Sequence, residues 1–341
     1  MKAVRLHHYG EYPVVEEVAE PKITGPHDVI VRVGGAGVCR SDLHIIEGLL
    51  KEVSGITLPY ILGHENAGWV YEIGSAVSHV AIGETVIVHA QITCGFCSAC
   101  RAGNDMHCTS AAFPGFTIDG GMATFLKTTD RAVVKLDASV APKDIAALAD
   151  AGLSAYHAVK KAVPILSPGT KALVIGAGGL GHIGIQCLKA LTPAEIIVME
   201  RSPEALELCK SWGADHTVLV DGTQVAKVKD ITNGQGVQAV IDFVGEGGAI
   251  EDGVSVLRRA GSYYVIGYGG QLNIPTLNII ITEINFIGNF VGTYNDLVEL
   301  MILKSQGKVT LHTTTYPLDA ATDAIQALDS GQQRGRAILI P

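Results

Sequence analysis

Four of the chain's seven cysteines, Cys94, Cys97, Cys100 and Cys108, fall within fifteen residues, the first three at successive steps of three. That spacing lets one short segment wrap a single ion, and the fourth thiolate closes a tetrahedron of the kind structural zinc takes at about 2.3 Å. Disulfides built from the same residues would be cramped and strained. A closed site of four thiolates leaves no open coordination position, so it steadies a loop and does no chemistry. Reactive groups are expected elsewhere. Cys39 stands in Gly37-Val38-Cys39-Arg40-Ser41-Asp42-Leu43-His44, and His64 in Gly63-His64-Glu65. A thiolate and an imidazole on separate loops are the ligand types of a catalytic zinc, which keeps one position for substrate. Taken singly, a buried thiol and a hydrogen-bonded turn histidine describe them equally well, and these residues alone leave that choice open.

A second chemistry is written in Gly176-Ala177-Gly178-Gly179-Leu180-Gly181, a Gly-x-Gly-x-x-Gly run. With forty glycines in the chain such spacing arises by chance, but here it follows an apolar strand and opens a helix. Gly176 suits the tight turn, Gly178 the approach of a pyrophosphate, and Gly181 close packing of helix on sheet. Phosphate then rests on amides at the helix N-terminus. Glu200 ends the next strand, 22 residues after Gly178, where a carboxylate binds the adenosine ribose hydroxyls. Its charge repels a 2′-phosphate and favours NAD over NADP, although the adjacent Arg201 is the residue type that NADP sites use.

The elements that must hold these groups change character along the chain. Short β-type runs at 29–33, 67–73, 84–89 and 123–127 dominate the first 150 residues. From about residue 153, strand-like runs at 171–175, 195–199, 216–220, 237–244, 262–267 and 284–290 alternate with helical stretches. Ser202 is placed to cap a helix over 203–212, Pro203 fits its first turn, and Gly213 suits its end. Such alternation predicts a doubly wound parallel sheet covered by helices. A helix over 296–305, a short strand and a final helix follow. We expect a β-rich catalytic domain of residues 1–152 and 292–341, with a dinucleotide-binding domain of residues 153–291 inserted. At 341 residues two domains are the default. A net charge of −9 without a long basic run argues against a nucleic-acid surface or a polybasic membrane patch. The first residues lack the apolar core of a signal peptide, and no apolar stretch is long enough to span a bilayer. Thiolates kept for metal suit a reducing compartment, so a cytoplasmic protein is expected.

Together, Cys-Arg-Ser-Asp-x-His, Gly-His-Glu, the four-cysteine lobe and the glycine turn, in this order, resemble the zinc-dependent medium-chain alcohol dehydrogenases. The resemblance runs from Met1-Lys2-Ala3 to Gly335-Arg336-Ala337-Ile338-Leu339. It implies a GroES-like catalytic domain around a Rossmann domain, two zinc ions per subunit, and NAD. It makes Cys39 and His64 ligands of a catalytic zinc, with Asp150 as the third where many relatives carry cysteine. A carboxylate keeps the ligand charge but is harder than a thiolate. It also sets Glu65 close to the metal, as a group that coordinates transiently, and makes Asp42 the partner that orients His64. Arg40 and Arg336 match positions on the cofactor pyrophosphate, and Val244 and Ile266 lie at strand ends that line the cofactor.

The implied reaction is alcohol oxidation with reversible hydride transfer to NAD. The proton leaves through Ser41 and a cofactor ribose hydroxyl to His44, whose ordinary pKa near 6.5 suits an exit. Ala90 stands near a position where relatives place a bulky aromatic, which predicts a roomy pocket for neutral secondary or aryl alcohols and their ketones. A polyol dehydrogenase with a polar pocket and a non-catalytic NAD- and zinc-binding redox sensor are the alternatives. A homo-oligomer, tetramer or dimer, is expected, paired through the sheet edge near 284–291.

Overall fold

Val, Ile and Ala runs bounded by glycine and proline form strands through the first 150 residues, and they meet in two largely antiparallel sheets. The structure is a computed structural model that describes residues 1–341, the side chain of Val53 excepted. Two units emerge: unit 1 holds Met1–Leu153, Val291–Glu299 and Leu311–Pro341, and unit 2 holds Ser154–Phe290 and Leu300–Thr310. Residues 300–310 were expected with the catalytic domain. They side with unit 2 because the Gln186 amide donates to the Thr310 carbonyl (2.9 Å), while its oxygen accepts the Thr310 amide (2.9 Å).

In unit 1, β1 (Lys2–Leu6) pairs with β2 (Val14–Glu17) and β4 (Tyr60–Ile61). The larger sheet is built on β3 (Asp28–Val38), an eleven-residue strand longer than the expected 29–33. β5 (Glu65–Ile73) runs antiparallel along one side of β3 and is followed outward by β6 (Thr85–Val88) and β8 (Val133–Lys135). On the other side β7 (Phe125–Thr129) covers the first half of β3. The second half pairs with β16 (Arg336–Ile340), beyond which lies β15 (Thr313–Pro317). Register then decides the site. Gly37 faces Glu65 and Val38 faces Ala337, so Cys39, His64, Glu65 and Arg336 are delivered to one corner of the sheet.

Unit 2 carries six parallel strands: β9 (Lys171–Ile175), β10 (Glu195–Glu200), β11 (His216–Leu219), β12 (Val237–Asp242), β13 (Leu257–Val265) and β14 (Asn285–Gly288). Their spatial order is β11-β10-β9-β12-β13-β14, the doubly wound Rossmann order with its switch point between β9 and β12. The helix Pro203–Trp212 forms as its end signals dictate. Ser202 Oγ accepts the Ala205 amide (3.2 Å), and Gly213 closes the helix in the left-handed region at φ 107°.

The helix Gly181–Leu191 lies against the turn after β12 through a glycine other than the expected one. A Cβ on Gly181 would strike the carbonyl of Gly176 in the same turn, so that glycine is needed for the turn itself. Close packing belongs to Gly184, where a Cβ would come within 2.6 Å of the Phe243 ring. We expect Gly184→Val to cost about 1–3 kcal/mol through overpacking, and Phe243→Leu to recover part of the loss. Urea unfolding of the two single variants and the double variant measures this; strictly additive losses would contradict the contact.

Candidate active site and metal centres

The lobe's four thiols lie within 4.8 Å of one another, and all seven cysteines are free. Cys97 and Cys94 hold their sulfurs 3.5 and 4.0 Å from that of Cys100. These separations are far from a disulfide bond and bracket the ~3.8 Å edge of a tetrahedron with 2.3 Å arms. Backbone amides are turned onto the sulfurs: Phe96 and Cys97 donate to Cys94 Sγ, and Cys94 and Ser110 donate to Cys108 Sγ, all at 3.3–3.4 Å. Amides of Cys100 and Thr109 bring the Cys97 thiol down to about 6, and those of Cys97 and Phe96 lower Cys94. The loop is shaped for thiolates around a cation, and zinc fits it.

A second cluster gathers Cys39, His64, Glu65 and Asp150, again with ligand atoms within 4.8 Å. Cys39 ends the β3 run and stands at the N-cap of the helix Arg40–Ile46. Asp42, fully buried in the first turn of that helix, accepts the Cys39 amide (2.8 Å) and sets its other oxygen 3.4 Å from His64 Nδ1. Asp42 is the residue expected to orient this ring; the two groups face each other at ion-pair distance, with no hydrogen bond made by either atom. His64 Nε2 lies 3.5 Å from Asp150 Oδ2, close to the ~3.4 Å ligand–ligand edge of a zinc tetrahedron with nitrogen and oxygen arms. Both ring nitrogens are buried, and neither has a hydrogen-bond partner. Burial alone lowers the imidazole pKa, yet Asp42, Cys39 and Asp150 hold it well above the ordinary histidine value. Burial also raises the carboxyls of Asp150 and Glu65. The donor set, the orphaned imidazole nitrogen and the crowded acids all fit a divalent cation at the common point.

Glu65, expected close to the metal as a transient ligand, lies in this cluster with both carboxylate oxygens engaged. One oxygen accepts the Ala151 amide (3.0 Å), at the start of the helix after Asp150, and the other is held by the Arg336 guanidinium. Gly37 makes the seat, since a Cβ there would overlap that second oxygen. Arg336 is only 3 % exposed and is engaged with Glu65 and Cys39, whereas the resemblance set it on the cofactor pyrophosphate. Sequence reasoning also missed Phe113 and Phe116, whose rings stand 6.1 and 4.8 Å from the His64 ring and wall one side of the centre. The signals available were the close glycines before Cys39 and the Phe-Pro-Gly-Phe run after the lobe. Ser41 and His44 lie three residues apart on the helix that Cys39 caps, both half-buried, with Arg40 exposed at its start.

In unit 2 the glycine turn joins β9 to the helix Gly181–Leu191. Gly176 adopts φ 85°, and a Cβ on Gly178 would meet only open space. Gly179 and Leu180 complete the turn, and the helix begins at Gly181. Glu200 closes β10 and grips the turn: it accepts the amides of Ala177 (2.7 Å), Arg201 (2.6 Å) and Ser202 (3.1 Å). Arg201 donates to the Gly247 carbonyl (2.8 Å). Val244 and Ile266 follow the carboxyl ends of β12 and β13.

The fold and these two centres define a zinc-binding dehydrogenase with a GroES-like domain, and comparison with known proteins agrees. Residues 25–138 match the alcohol dehydrogenase GroES-like domain, and residues 179–305 match the zinc-binding dehydrogenase domain. An NAD-dependent alcohol dehydrogenase of Saccharolobus solfataricus is 34 % identical, with full coverage of both chains. A D-arabinose 1-dehydrogenase (NADP(+)) of the same organism is 33 % identical, over 100 % of this chain and 97 % of that one. The crystal structure of the alcohol dehydrogenase of Aeropyrum pernix superposes with a TM-score of 0.97 at 44 % identity, covering both chains fully. The chain belongs to the zinc-dependent medium-chain alcohol dehydrogenase family.

Loss of the contact that orients a metal-bound histidine typically weakens metal binding 10–100-fold. Asp42→Asn is therefore expected to release one zinc per chain to a chelator at a concentration the unaltered protein resists, with the lobe's zinc retained. Equal resistance of both ions in the two proteins would contradict the orienting role.

Proposed function

We propose that this chain oxidises primary or secondary alcohols to aldehydes or ketones, reversibly, with NAD as hydride acceptor. The convergence of Cys39, His64 and Asp150 on one buried point carries this reading. Zinc held there supplies a Lewis acid that polarises the alcohol or carbonyl oxygen and makes the hydroxyl proton easier to lose. NAD supplies the hydride acceptor. The chain's own residues do the rest. Asp42 fixes the ring of His64. Glu65, held by Arg336 and the Ala151 amide, stands as a reserve carboxylate beside the ligands. Ser41 takes the proton from the alcohol hydroxyl, and His44 hands it to solvent. Arg40 pairs with the cofactor pyrophosphate, which rests on the turn Gly176–Gly181, and Glu200 accepts the adenosine ribose hydroxyls and disfavours a 2′-phosphate. Val244 and Ile266 line the cofactor. The Phe113 and Phe116 rings favour neutral, apolar alcohols over charged substrates.

The working form is a homo-oligomer. β14 is the edge strand of the parallel sheet, and next to it in sequence Leu277, Ile280 and Ile281 are 64, 69 and 56 % exposed. An open edge beside an apolar face is a surface that a second copy can cover. Among the described residues no helix is long and apolar enough to cross a membrane. Together with thiolates reserved for metal, this supports a cytoplasmic site of action.

Absorbance of NADH during incubation with ethanol, 2-octanol, benzyl alcohol, a polyol and D-arabinose tests the reading. Turnover is expected with the apolar alcohols; turnover confined to the sugar or polyol, or absent throughout, would overturn it. His44→Gln is expected to slow turnover roughly ten- to a hundredfold near pH 7, less than a full general-base loss because buffer substitutes. An unchanged pH–rate profile would remove His44 from the proton exit.

A further inference from the structure

One buried carboxylate in unit 2 is met by three neutral donors, and the residue that carries it is tied to two different turns. Asp242, the last residue of β12, is fully buried. One of its carboxylate oxygens accepts the amides of Val244 (2.8 Å) and Gly245 (3.0 Å). The other accepts the phenol of Tyr263 (2.7 Å), a fully buried residue on the neighbouring strand β13. The carbonyl of Asp242 accepts the amides of Ile266 (3.0 Å) and Gly267 (2.9 Å). The turn after β12 and the turn after β13 are thus tied to a single residue. They also touch backbone to backbone: a Cβ on Gly245 would overlap the Gly267 carbonyl, and one on Gly267 would overlap the Val244 carbonyl group. Burial pushes the Asp242 carboxyl up, while Tyr263 and the two amides draw it down. Placing a carboxylate here is costly unless it is hydrogen-bonded, and here the donors are the two amides of the turn after β12 and the phenol of Tyr263 on β13.

Their position gives the arrangement a purpose. Glu200, at the end of β10, lies on one side of the switch point between β9 and β12, and the adenosine half of a dinucleotide belongs there. β12 and β13 lie on the other side, so the turns that follow them face the nicotinamide half.

From these contacts we infer that Asp242 and Tyr263 are positioning residues for the nicotinamide half of NAD, holding the backbone of Val244–Gly245 and Ile266–Gly267 in the shape which that half requires. The inference rests on the NAD reading above. Asn at position 242 keeps an oxygen for the two amides and offers an NH₂ that the Tyr263 hydroxyl can accept, so shape can be restored without charge.

Calorimetric titration of the full-length protein with NADH and with ADP, which lacks the nicotinamide half, tests this. Asp242→Ala is expected to weaken NADH binding about tenfold, the scale of losing hydrogen bonds to a charged group, with ADP binding unchanged. Asp242→Asn should return NADH binding close to that of the unaltered protein. Tyr263→Phe keeps the ring, loses one bond, and should weaken NADH alone by about three- to fivefold; it decides the matter if Asp242→Ala does not fold. Unaltered NADH affinity in Asp242→Ala or Tyr263→Phe, or parallel loss of NADH and ADP, would overturn the inference. An unaltered protein that binds neither ligand would overturn the NAD reading itself, and the inference with it.

Discussion

Crowded negative charge in a buried corner is the constraint on which the catalytic unit depends. Cys39, Asp42, Glu65 and Asp150 become anionic on ionisation, and among the described residues the buried guanidinium that meets them is that of Arg336. Burial disfavours each ionised carboxylate, and the imidazole of His64 turns an unanswered nitrogen to the same point. A divalent cation resolves all of this at once. Without one, a fold that gathers these groups would be paying for their burial with nothing in return.

The scaffold follows from that demand. Three strands end or begin at the corner: β3 leads to Cys39, β5 opens with Glu65 just after His64, and β16 opens with Arg336. Helix capping finishes the placement, because the carboxylate that accepts the Cys39 amide also faces His64. A residue with an ordinary job at a helix end is thereby also set against His64. In unit 2 the same economy recurs. Glu200 ties the glycine turn, through the Ala177 amide, to the start of the chain after β10, and Asp242 ties together the turns after β12 and β13.

What could be read from sequence was local. The zinc lobe was visible because its four ligands lie within fifteen residues, and the glycine turn because its strand and helix flank it directly. Ser202 and Gly213 marked their helix because capping is settled within one turn of chain. Contacts set by sheet register were hidden. The Arg336–Glu65 pair joins residues 271 apart, through the alignment of β16 with β3 and of β3 with β5. Likewise Gly184 meets Phe243, and Gln186 fastens Thr310, only once the sheet has assembled. Strand β16 itself went unread, since an apolar run after a final helix carries no sign of its partners. Asp150 came from family resemblance, because nothing in the residues around it distinguishes a ligand from a surface acid.

X-ray absorption at the zinc edge, combined with metal counting on protein that oxidises alcohols, tests the central claim most directly. Two zinc ions per chain are expected, sharing five sulfurs at about 2.3 Å with nitrogen and oxygen at about 2.0–2.1 Å. In Cys39→Ser a single ion with four sulfurs should remain, and activity should be gone. An active, unaltered protein holding one zinc in a pure sulfur shell would contradict the account.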